Sequence, residues 1–165
     1  MTFQIGDKIA HPLHGAGVID SIEQRRINGR EREYFVMRLP VGEMRVMIPC
    51  DGCEEIGVRP IMSAEQLESL FSAIADIEIS MTNNWNKRFR ENMDRIKSGD
   101  LMEVAAVIKG LFHRESERGL STGERKMLLS AKQILLSELV LAAECSFEEA
   151  ETRLDACVRG GVKGK

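Results

Sequence analysis

AGVIDSIEQRRINGREREYFVMRL, residues 16–39, decides the fold of this chain. β-Branched and aromatic residues alternate with polar ones on both sides of Asn28-Gly29, and an Asn-Gly pair suits the positive backbone angles of a two-residue hairpin turn. The pattern therefore predicts one strand from near Ala16 to Ile27 and a second strand from Arg30 to Leu39.

The register of this hairpin sets like charges opposite each other. With a two-residue loop, Ile27 faces Arg30, Arg26 faces Glu31 and Arg25 faces Arg32. Two arginines directly across a strand pair reduce stability unless an acidic group neutralises them.

A second turn follows at Pro40-Val41-Gly42-Glu43 and leads into a third strand, Met44 to Ile48, which Pro49 closes. Short strands joined by successive turns, with no helical pattern between them, predict a small antiparallel barrel or curled sheet. On the third strand, Arg45 and Met47 alternate onto one face, where an exposed methionine suits a protein partner.

The hydrophobic period changes to that of helices after Pro60. Four helix starts are marked by capping-box patterns, at Ser63 with Gln66, Asp100 with Glu103, Ser121 with Glu124, and Ser146 with Glu149. The Trp85 segment adds a fifth helix, which ends at Ser98-Gly99. We therefore predict an α+β protein with a sheet domain at 1–60, about five α-helices in a compact domain at 61–160, and a flexible tail at 161–165.

The only tryptophan, Trp85, opens the run NNWNKRFR, residues 83–90, where three cations lie within five residues of one large ring. Cations hold a phosphate backbone, while an apolar ring can wedge between bases. The alternative interpretation is a core-facing helical stripe, formed by Trp85, Phe89, Met93 and Ile96 with the cations on the solvated side.

Composition and charge limit the classes of function. The chain has 165 residues, of which 43% are apolar and 30% charged, and a net charge of -3 argues against coating nucleic acid through charge alone. Only residues 82–132 are basic, with 11 basic and 7 acidic side chains, which indicates a local contact with nucleic acid. No apolar run has the length of a membrane span and the first residues lack a signal-peptide layout, so we expect a cytoplasmic protein without a membrane partner.

Candidate catalytic and metal-binding residues are sparse. Cys50-x-x-Cys53 has the spacing of a zinc or redox site, but no second pair lies near it in sequence, since Cys145 and Cys157 belong to the helical region. His11 and His14 are interpreted as hydrogen-bonding residues of a turn. No phosphate-binding glycine loop or catalytic triad pattern is found, so we expect no enzyme activity, small-molecule substrate, cofactor or metal.

Several motifs together resemble a known family. In the first domain they are Phe3-x-Ile5-Gly6-Asp7, His11-Pro12-x-His14-Gly15-x-Gly17, Glu33-Tyr34, Met44-x-Val46-x-Ile48-Pro49 and Gly57-Val58-Arg59. In the second domain they are Asn84-Trp85-x-x-Arg88-Phe89, Lys97-x-Gly99-Asp100, Val104-Ala105 and Glu117-Arg118-Gly119-Leu120-Ser121-x-Gly123-Glu124. The first set resembles the RNA-polymerase-interacting domain of the CarD and CdnL family, and the second resembles its carboxy-terminal helical domain. Cys50-x-x-Cys53 is not part of that pattern.

The resemblance implies a bacterial transcription regulator. In the family, a Tudor-like barrel binds the beta subunit of RNA polymerase, and the helical domain reaches promoter DNA at the upstream edge of the melted region. There the tryptophan acts as a minor-groove wedge that keeps the bubble open. The protein would then associate with the nucleoid through RNA polymerase.

The resemblance also implies roles for individual residues. Trp85 corresponds to the wedge, with phosphate contacts from Lys87, Arg88 and Arg90 and further DNA contacts from Arg125, Lys126 and Lys132. The polymerase-binding surface corresponds to Arg25, Val36, Arg45, Met47 and Pro49. Some relatives place a basic residue where Met47 stands, so here the polar half of that contact either rests on Arg45 or is weaker.

Two alternatives remain open from the residues alone. A protein-only adaptor would bind a partner through the barrel and use the helices as a scaffold, with Trp85 buried. A zinc or thiol sensor would depend on Cys50 and Cys53.

Overall fold

The computed structural model describes residues 3–40 and 42–160, which form a five-stranded antiparallel sheet followed by five helices. The strands are β1 (Lys8–His11), β2 (Gly15–Ile27), β3 (Arg30–Arg38), β4 (Arg45–Pro49) and β5 (Arg59–Pro60). The helices are α1 (Ala64–Ile74), α2 (Trp85–Lys97), α3 (Leu101–Arg118), α4 (Thr122–Ala143) and α5 (Phe147–Gly160). This order confirms the predicted α+β class. The predicted tail, residues 161–165, and the turn residue Val41 lie outside the described residues.

The β2–β3 hairpin has the predicted turn and register. Asn28 and Gly29 adopt φ values of 54° and 79°, as a two-residue loop of this kind requires. Ile27 pairs with Arg30, Arg26 with Glu31 and Arg25 with Arg32, which confirms the predicted register. Glu23, two residues from Arg25 on the same strand, accepts a hydrogen bond of 2.8 Å from the Arg25 guanidinium and so neutralises one of the two facing arginines.

The sheet has the strand order β4-β3-β2-β1-β5, and one of its faces covers an apolar core. The core contains Phe3, Ile9, Ile19, Phe35, Met37, Leu39, Ile48, Cys53 and Val58. A register shift between Ile19 and Ser21 marks a bulge at Asp20. Such a bulge re-aims the side chain it carries, and here it sends Asp20 towards the arginines of β3 and β4.

Side-chain caps begin the helices at the predicted residues. Ser63 and Ser121 form complete capping boxes with Gln66 and Glu124, and Ser146 exchanges the same two hydrogen bonds with Glu149. The prediction for α3 was half right. Asp100 is its N-cap and accepts a hydrogen bond from the Met102 N–H, but Glu103 instead lies 3.6 Å from Arg95.

The helices enclose a second core, to which α3 and α4 contribute most of the buried side chains. Examples are Val107, Ile108 and Leu111 from α3, and Ala131 and Leu135 from α4. The first residues of β2 pack against α4. This helix therefore contacts the sheet as well as the other helices. Within the described ranges, no helix is long and apolar enough to cross a lipid bilayer.

Candidate functional site

Trp85 is the first residue of α2, and its indole is 43% exposed. Asn84 is the N-cap, because its side-chain oxygen accepts the Lys87 backbone N–H at 3.0 Å. Of the apolar stripe considered above, Ile96 is buried and Phe89 and Met93 are partly buried. The stripe therefore leaves the core towards the start of the helix, and Trp85 ends it at the surface.

The exposed indole is held in one orientation by two neighbours. It stacks on Phe89, with 5.0 Å between ring centroids and 17° between ring planes. Its Nε1–H donates a hydrogen bond of 3.1 Å to the Oγ of Ser121, the N-cap of α4. These contacts preorganise an apolar ring at the surface without burying it.

Gly123 lies beneath the two rings. A Cβ atom at this position would lie 3.4 Å from Phe89 and 3.9 Å from Trp85, so a longer side chain would press on the stack. Gly123 is the second residue of α4, so the first turn of this helix lies directly against the two rings.

Four of the predicted DNA-contacting cations are exposed on α2 and α4, the two helices that hold the indole. Lys87 and Arg90 are exposed on the first turns of α2. Arg125 and Lys126 are exposed on the first two turns of α4, whose N-cap holds the indole. In residues 3–40 and 42–160 none of these four side chains forms an ion pair, so their charges remain available to an external anion.

Arg88 does not belong to that surface, and its predicted phosphate contact is corrected. Its side chain is 2% exposed, and its Nε donates to the Glu124 carboxylate at 2.7 Å. Its Nη1 donates to the Thr82 carbonyl at 3.2 Å. Because these partners occupy the guanidinium inside the protein, Arg88 supports the site instead of touching a ligand.

The acid that holds Arg88 also belongs to the cap beneath Trp85. Burial acts to raise the pKa of Glu124, but the Arg88 guanidinium and the Ser121 hydrogen bonds outweigh it and hold that pKa below its usual range. A charged pair without water around it persists only when both members are hydrogen-bonded in this way. The indole, the cap and the buried pair therefore form one connected network between α2 and α4.

Lys132 also lies away from the candidate surface. Its Nζ donates to Glu151 at 2.9 Å and to Asp155 at 3.4 Å, so two carboxylates of α5 already neutralise it. It also lies about 17 Å further along α4 than Ser121, at the rise of an α-helix. The structure therefore does not bring Lys132 together with the other predicted DNA contacts.

The five predicted polymerase-binding residues share one face of the sheet, opposite the core. Val36 pairs with Met47, and Tyr34 pairs with Pro49, so these side chains point the same way. Arg38 pairs with Arg45 on the same face, and Arg25 reaches it through its pairing with Arg32. The only tyrosine of the chain, Tyr34, thus lies in the middle of this outer face, with the Arg32 guanidinium 5.9 Å from the ring centroid.

The outer face has a charged centre that the sequence analysis did not include. Asp20 accepts two hydrogen bonds from Arg45, at 3.1 and 3.3 Å, and lies 3.7 Å from Arg38. The bulge at Asp20 provides this contact, and bulges leave no simple signal in a single sequence. Asp20 orients Arg45, while more than half of the Arg45 side chain stays exposed.

Two of the predicted residues contribute less than expected to the outer face. Val36 is 5% exposed, so it supports the surface without offering area to a partner. Arg25 pairs opposite Arg32, which lies six residues from Arg38 along β3, or about 20 Å at the rise of a strand. Arg25 is therefore remote from Arg45, although both lie on the same face.

The remaining candidate residues have structural surroundings. Cys50 and Cys53 adjoin the sheet core, whereas Cys145 and Cys157 pack against the helical core. Burial raises the pKa of the Cys50 and Cys53 thiols, which lowers their thiolate fraction. In the part of the chain that the structure describes, no group of three histidine, cysteine or acidic side chains is arranged to hold a metal ion.

The two histidines stabilise the turn between β1 and β2. The Nδ1 of His11 accepts the Leu13 backbone N–H at 3.0 Å, and the His11 and His14 ring centroids are 4.6 Å apart. Burial and the neighbouring His14 lower the pKa of His11. The His11 contact agrees with the hydrogen-bonding role predicted for a histidine of this turn, and His14 contributes a ring contact.

Comparisons with known proteins match both halves of the chain. A family model of the CarD-like/TRCF RID domain matches residues 3–62, and a model of the CarD C-terminal domain matches residues 69–155. The chain is also similar to the putative transcription factor YdeB of Bacillus subtilis (strain 168), with 35% identity over 137 residues. That alignment covers 83% of this chain and 90% of the relative. With its Tudor-like sheet domain followed by the helical domain, this chain belongs to the CarD family.

Proposed function

We propose that this protein is a transcription regulator that binds the beta subunit of RNA polymerase and stabilises the promoter open complex. The sheet domain would bind the polymerase through its outer face, and the helical domain would contact promoter DNA at the upstream edge of the bubble. The matched families are transcription-factor and polymerase-interacting types, and the similar Bacillus protein is described as a putative transcription factor. Both support a transcription role that depends on interaction with RNA polymerase.

The observation that carries the DNA half of the proposal is the exposed, oriented indole of Trp85. It lies at the start of α2, and Lys87, Arg90, Arg125 and Lys126 are exposed on the first two turns of α2 and α4. An exposed apolar ring held by two helices that carry these four cations, none of them ion-paired within the described residues, suits a DNA fork. The cations can hold phosphates while the ring stacks on a base exposed by strand separation. The adaptor alternative expects a buried Trp85, and the exposed indole does not fit it.

The net charge of -3 is compatible with this proposal. Wedging between bases requires unstacking energy, so it is favourable mainly where the duplex is already distorted, as at the edge of a bubble. Binding to polymerase would hold a weak DNA-binding surface close to that edge and raise its effective concentration. High intrinsic affinity for DNA is then unnecessary.

The first experiment measures the lifetime of a promoter open complex formed by purified bacterial RNA polymerase and its main sigma factor. We expect the protein to lengthen this lifetime and Trp85→Ala to remove most of the effect. Because one base–aromatic stack contributes about 1–3 kcal/mol, the loss should be at least about fivefold. Ile79→Ala is a matched control, since Ile79 is an apolar residue of the same domain with a similar exposed fraction, 44%. Equal lifetimes with Trp85→Ala and the parent protein would rule out the wedge.

A binding assay tests the polymerase half separately. We expect Arg45→Glu to abolish co-purification with the beta subunit, because it reverses the charge at the centre of the outer face and places a second carboxylate beside Asp20. Arg30→Glu at the hairpin tip makes the same charge change on the same sheet and should retain binding. Undiminished co-purification of Arg45→Glu would refute the assignment of this face.

A further inference from the structure

A buried carboxylate of α4 joins the sheet to the helices. Glu138 is 1% exposed, and its two oxygens accept hydrogen bonds from the Arg59 guanidinium of β5 at 2.8 and 3.0 Å. The same carboxylate accepts the backbone N–H of Met62, which precedes α1, at 2.7 Å. One side chain of the helical domain is thus held by the last strand and by the segment that links the two domains.

The neighbouring residue of α4 holds the beginning of β2. The Oγ of Ser137 accepts the Ala16 N–H at 2.8 Å and donates to the Ile134 carbonyl at 3.0 Å. A Cβ atom on Gly15 would lie 2.5 Å from that Oγ and 3.1 Å from the Ile134 Cα, so only glycine permits this approach. The sheet backbone therefore lies directly against the helix surface, with both buried polar groups satisfied.

The same helix holds the indole of Trp85 at its other end. Ser121, which accepts the indole N–H, is 17 positions before Glu138, or about 25 Å along a straight helix. A continuous helix is stiff over this length. The distance and angle between Trp85 and the outer face of the sheet therefore depend on how Ser137 and Glu138 fix the sheet to α4.

We propose that Arg59, Ser137 and Glu138 are positioning residues, which hold the Trp85 wedge at a set distance and angle from the polymerase-binding face. The proposal rests on the proposed function above and adds the element that transmits position between its two surfaces. A rigidly held domain reaches its second site at a higher effective concentration than one on a loose tether. Loosening this contact should therefore weaken the DNA step and leave polymerase binding intact.

The test uses the full chain in two assays. The first assay measures amide ¹⁵N relaxation by NMR and compares the rotational correlation times of the sheet and of the helices. The second measures open-complex lifetime together with co-purification of the beta subunit. We compare the parent protein with Glu138→Ala, with the conservative variant Glu138→Gln, and with Glu148→Ala, which removes an exposed acid of the same domain.

We expect one common correlation time in the parent protein and in Glu148→Ala, and two separate ones in Glu138→Ala. The lifetime conferred by Glu138→Ala should fall about tenfold, since the effective concentration of the wedge is reduced, while polymerase binding stays unchanged. Glu138→Gln keeps an acceptor for the Met62 N–H and should recover much of the lifetime. A merely structural role would not produce this recovery together with unchanged polymerase binding.

Three results would overturn the positioning role. They are separate correlation times with an unchanged lifetime, a common correlation time in Glu138→Ala, and a lifetime that falls only as much as polymerase binding does. If Glu138→Ala does not fold, Arg59→Ala/Glu138→Gln removes both charges together and undergoes the same assays. A parent protein without any effect on lifetime would instead overturn the proposed function, so the two failures are distinguishable.

Discussion

Arg88 and its neighbours in the NNWNKRFR run show how residues of one motif divide between the surface and the interior. Lys87 and Arg90 extend into solvent, whereas Arg88 between them turns inward to a carboxylate of α4. Removing one member of a buried ion pair leaves the other charge without a partner, and this lowers the free energy of unfolding more than replacing both members does. Stability measurements can therefore separate the interior role from a DNA contact.

We expect Arg88→Ala to lower the free energy of unfolding by about 3–5 kcal/mol, because it leaves the Glu124 carboxylate buried and unpaired. Arg88→Met/Glu124→Leu removes both charges and should recover a large part of that loss. Urea denaturation at neutral pH, followed by far-UV circular dichroism, measures both variants. An Arg88→Ala protein as stable as its parent would contradict the buried pair and restore Arg88 as a phosphate contact.

The stabilisation by the Arg88–Glu124 pair also depends on pH, and this dependence is a second test of the pair. The pKa of Glu124 is lower in the folded protein than in the unfolded chain, where the pKa of a glutamate is about 4.3. Its stabilisation is therefore present above that pH and is lost as pH falls through the lower folded pKa. Glu124→Gln should remove this part of the acid dependence.

For individual side chains, the sequence predicted the exposed positions better than the buried contacts. Trp85, Lys87 and Arg125 are exposed, as their predicted contact with DNA requires, whereas Arg88 of the same motif is buried. The Arg88–Glu124 pair joins residues 36 positions apart, and no local pattern announces it. Asp20 was missed for a similar reason, since its contact with Arg45 depends on a bulge.

Among the elements, α1 and α3 depend on one buried lysine. Lys109 is almost fully buried, and its Nζ donates to the carbonyls of Ile74 at 2.9 Å, Ala75 at 2.9 Å and Ile77 at 2.8 Å. Three donors of one ammonium group thus satisfy carbonyls at and after the end of α1, where no intrahelical donor remains. Burial lowers the pKa of Lys109, and the nearby Asp76 opposes this shift.

We expect Lys109→Met to destabilise the protein by about 2–4 kcal/mol, because an apolar side chain of similar length removes the ammonium donor from all three carbonyls. The Ile74 carbonyl keeps a hydrogen bond from the Ile77 N–H at 3.1 Å, so the loss should come mainly from the Ala75 and Ile77 carbonyls. Chemical denaturation measures the loss, and amide hydrogen exchange should show the last turn of α1 opening first. Lys126→Met, an exposed lysine on α4, is the matched control and should change stability little. Equal stability of the two variants would exclude a capping role for Lys109.

Element boundaries were predictable where a local signal exists. Asn28-Gly29 fixed the register of β2 and β3, and serine caps located three of the helix starts. The short strands β1 and β5 were not predicted individually, because β5 has two residues and forms by pairing with β1 about 50 positions earlier in the chain. Tertiary pairing defines such elements, so their sequences need not resemble strands.

For the molecule as a whole, the two proposed surfaces lie in different domains and should act in series. A wedge held at the promoter only through polymerase has little effect once the polymerase-binding face is disabled. The changes that Arg45→Glu and Trp85→Ala cause in open-complex lifetime, expressed as free energies, should therefore be strongly non-additive.

We expect Arg45→Glu/Trp85→Ala to give the same open-complex lifetime as Arg45→Glu alone. The lifetimes of the parent protein, both single variants and the double variant complete the cycle. As a control, a large excess of Arg45→Glu protein should partly restore the lifetime, since high concentration replaces the tether, and the double variant should not respond. Independent effects of the two substitutions would show that the wedge reaches the promoter without the sheet.

The relative placement of the domains was the part of the fold that the sequence could not reveal. The motif His11-Pro12-x-His14-Gly15 was visible in the sequence, but the fit of Gly15 against Ser137 requires the folded α4. The division of the chain near residue 60 remains a prediction. What the structure adds is the polar contact at Glu138, which gives the two domains a common frame.

The positions of the chain's two rarest aromatic residues have an optical consequence. The single tryptophan lies at the proposed DNA surface, and the single tyrosine lies on the outer face of the sheet beside Pro49. Excitation at wavelengths that only the indole absorbs therefore reports on the proposed DNA surface alone. Phenol emission, excited at shorter wavelengths, reports on the outer face of the sheet. The unlabelled protein carries one intrinsic fluorophore for each binding event, so a titration with forked DNA should quench the indole and leave the phenol signal unchanged.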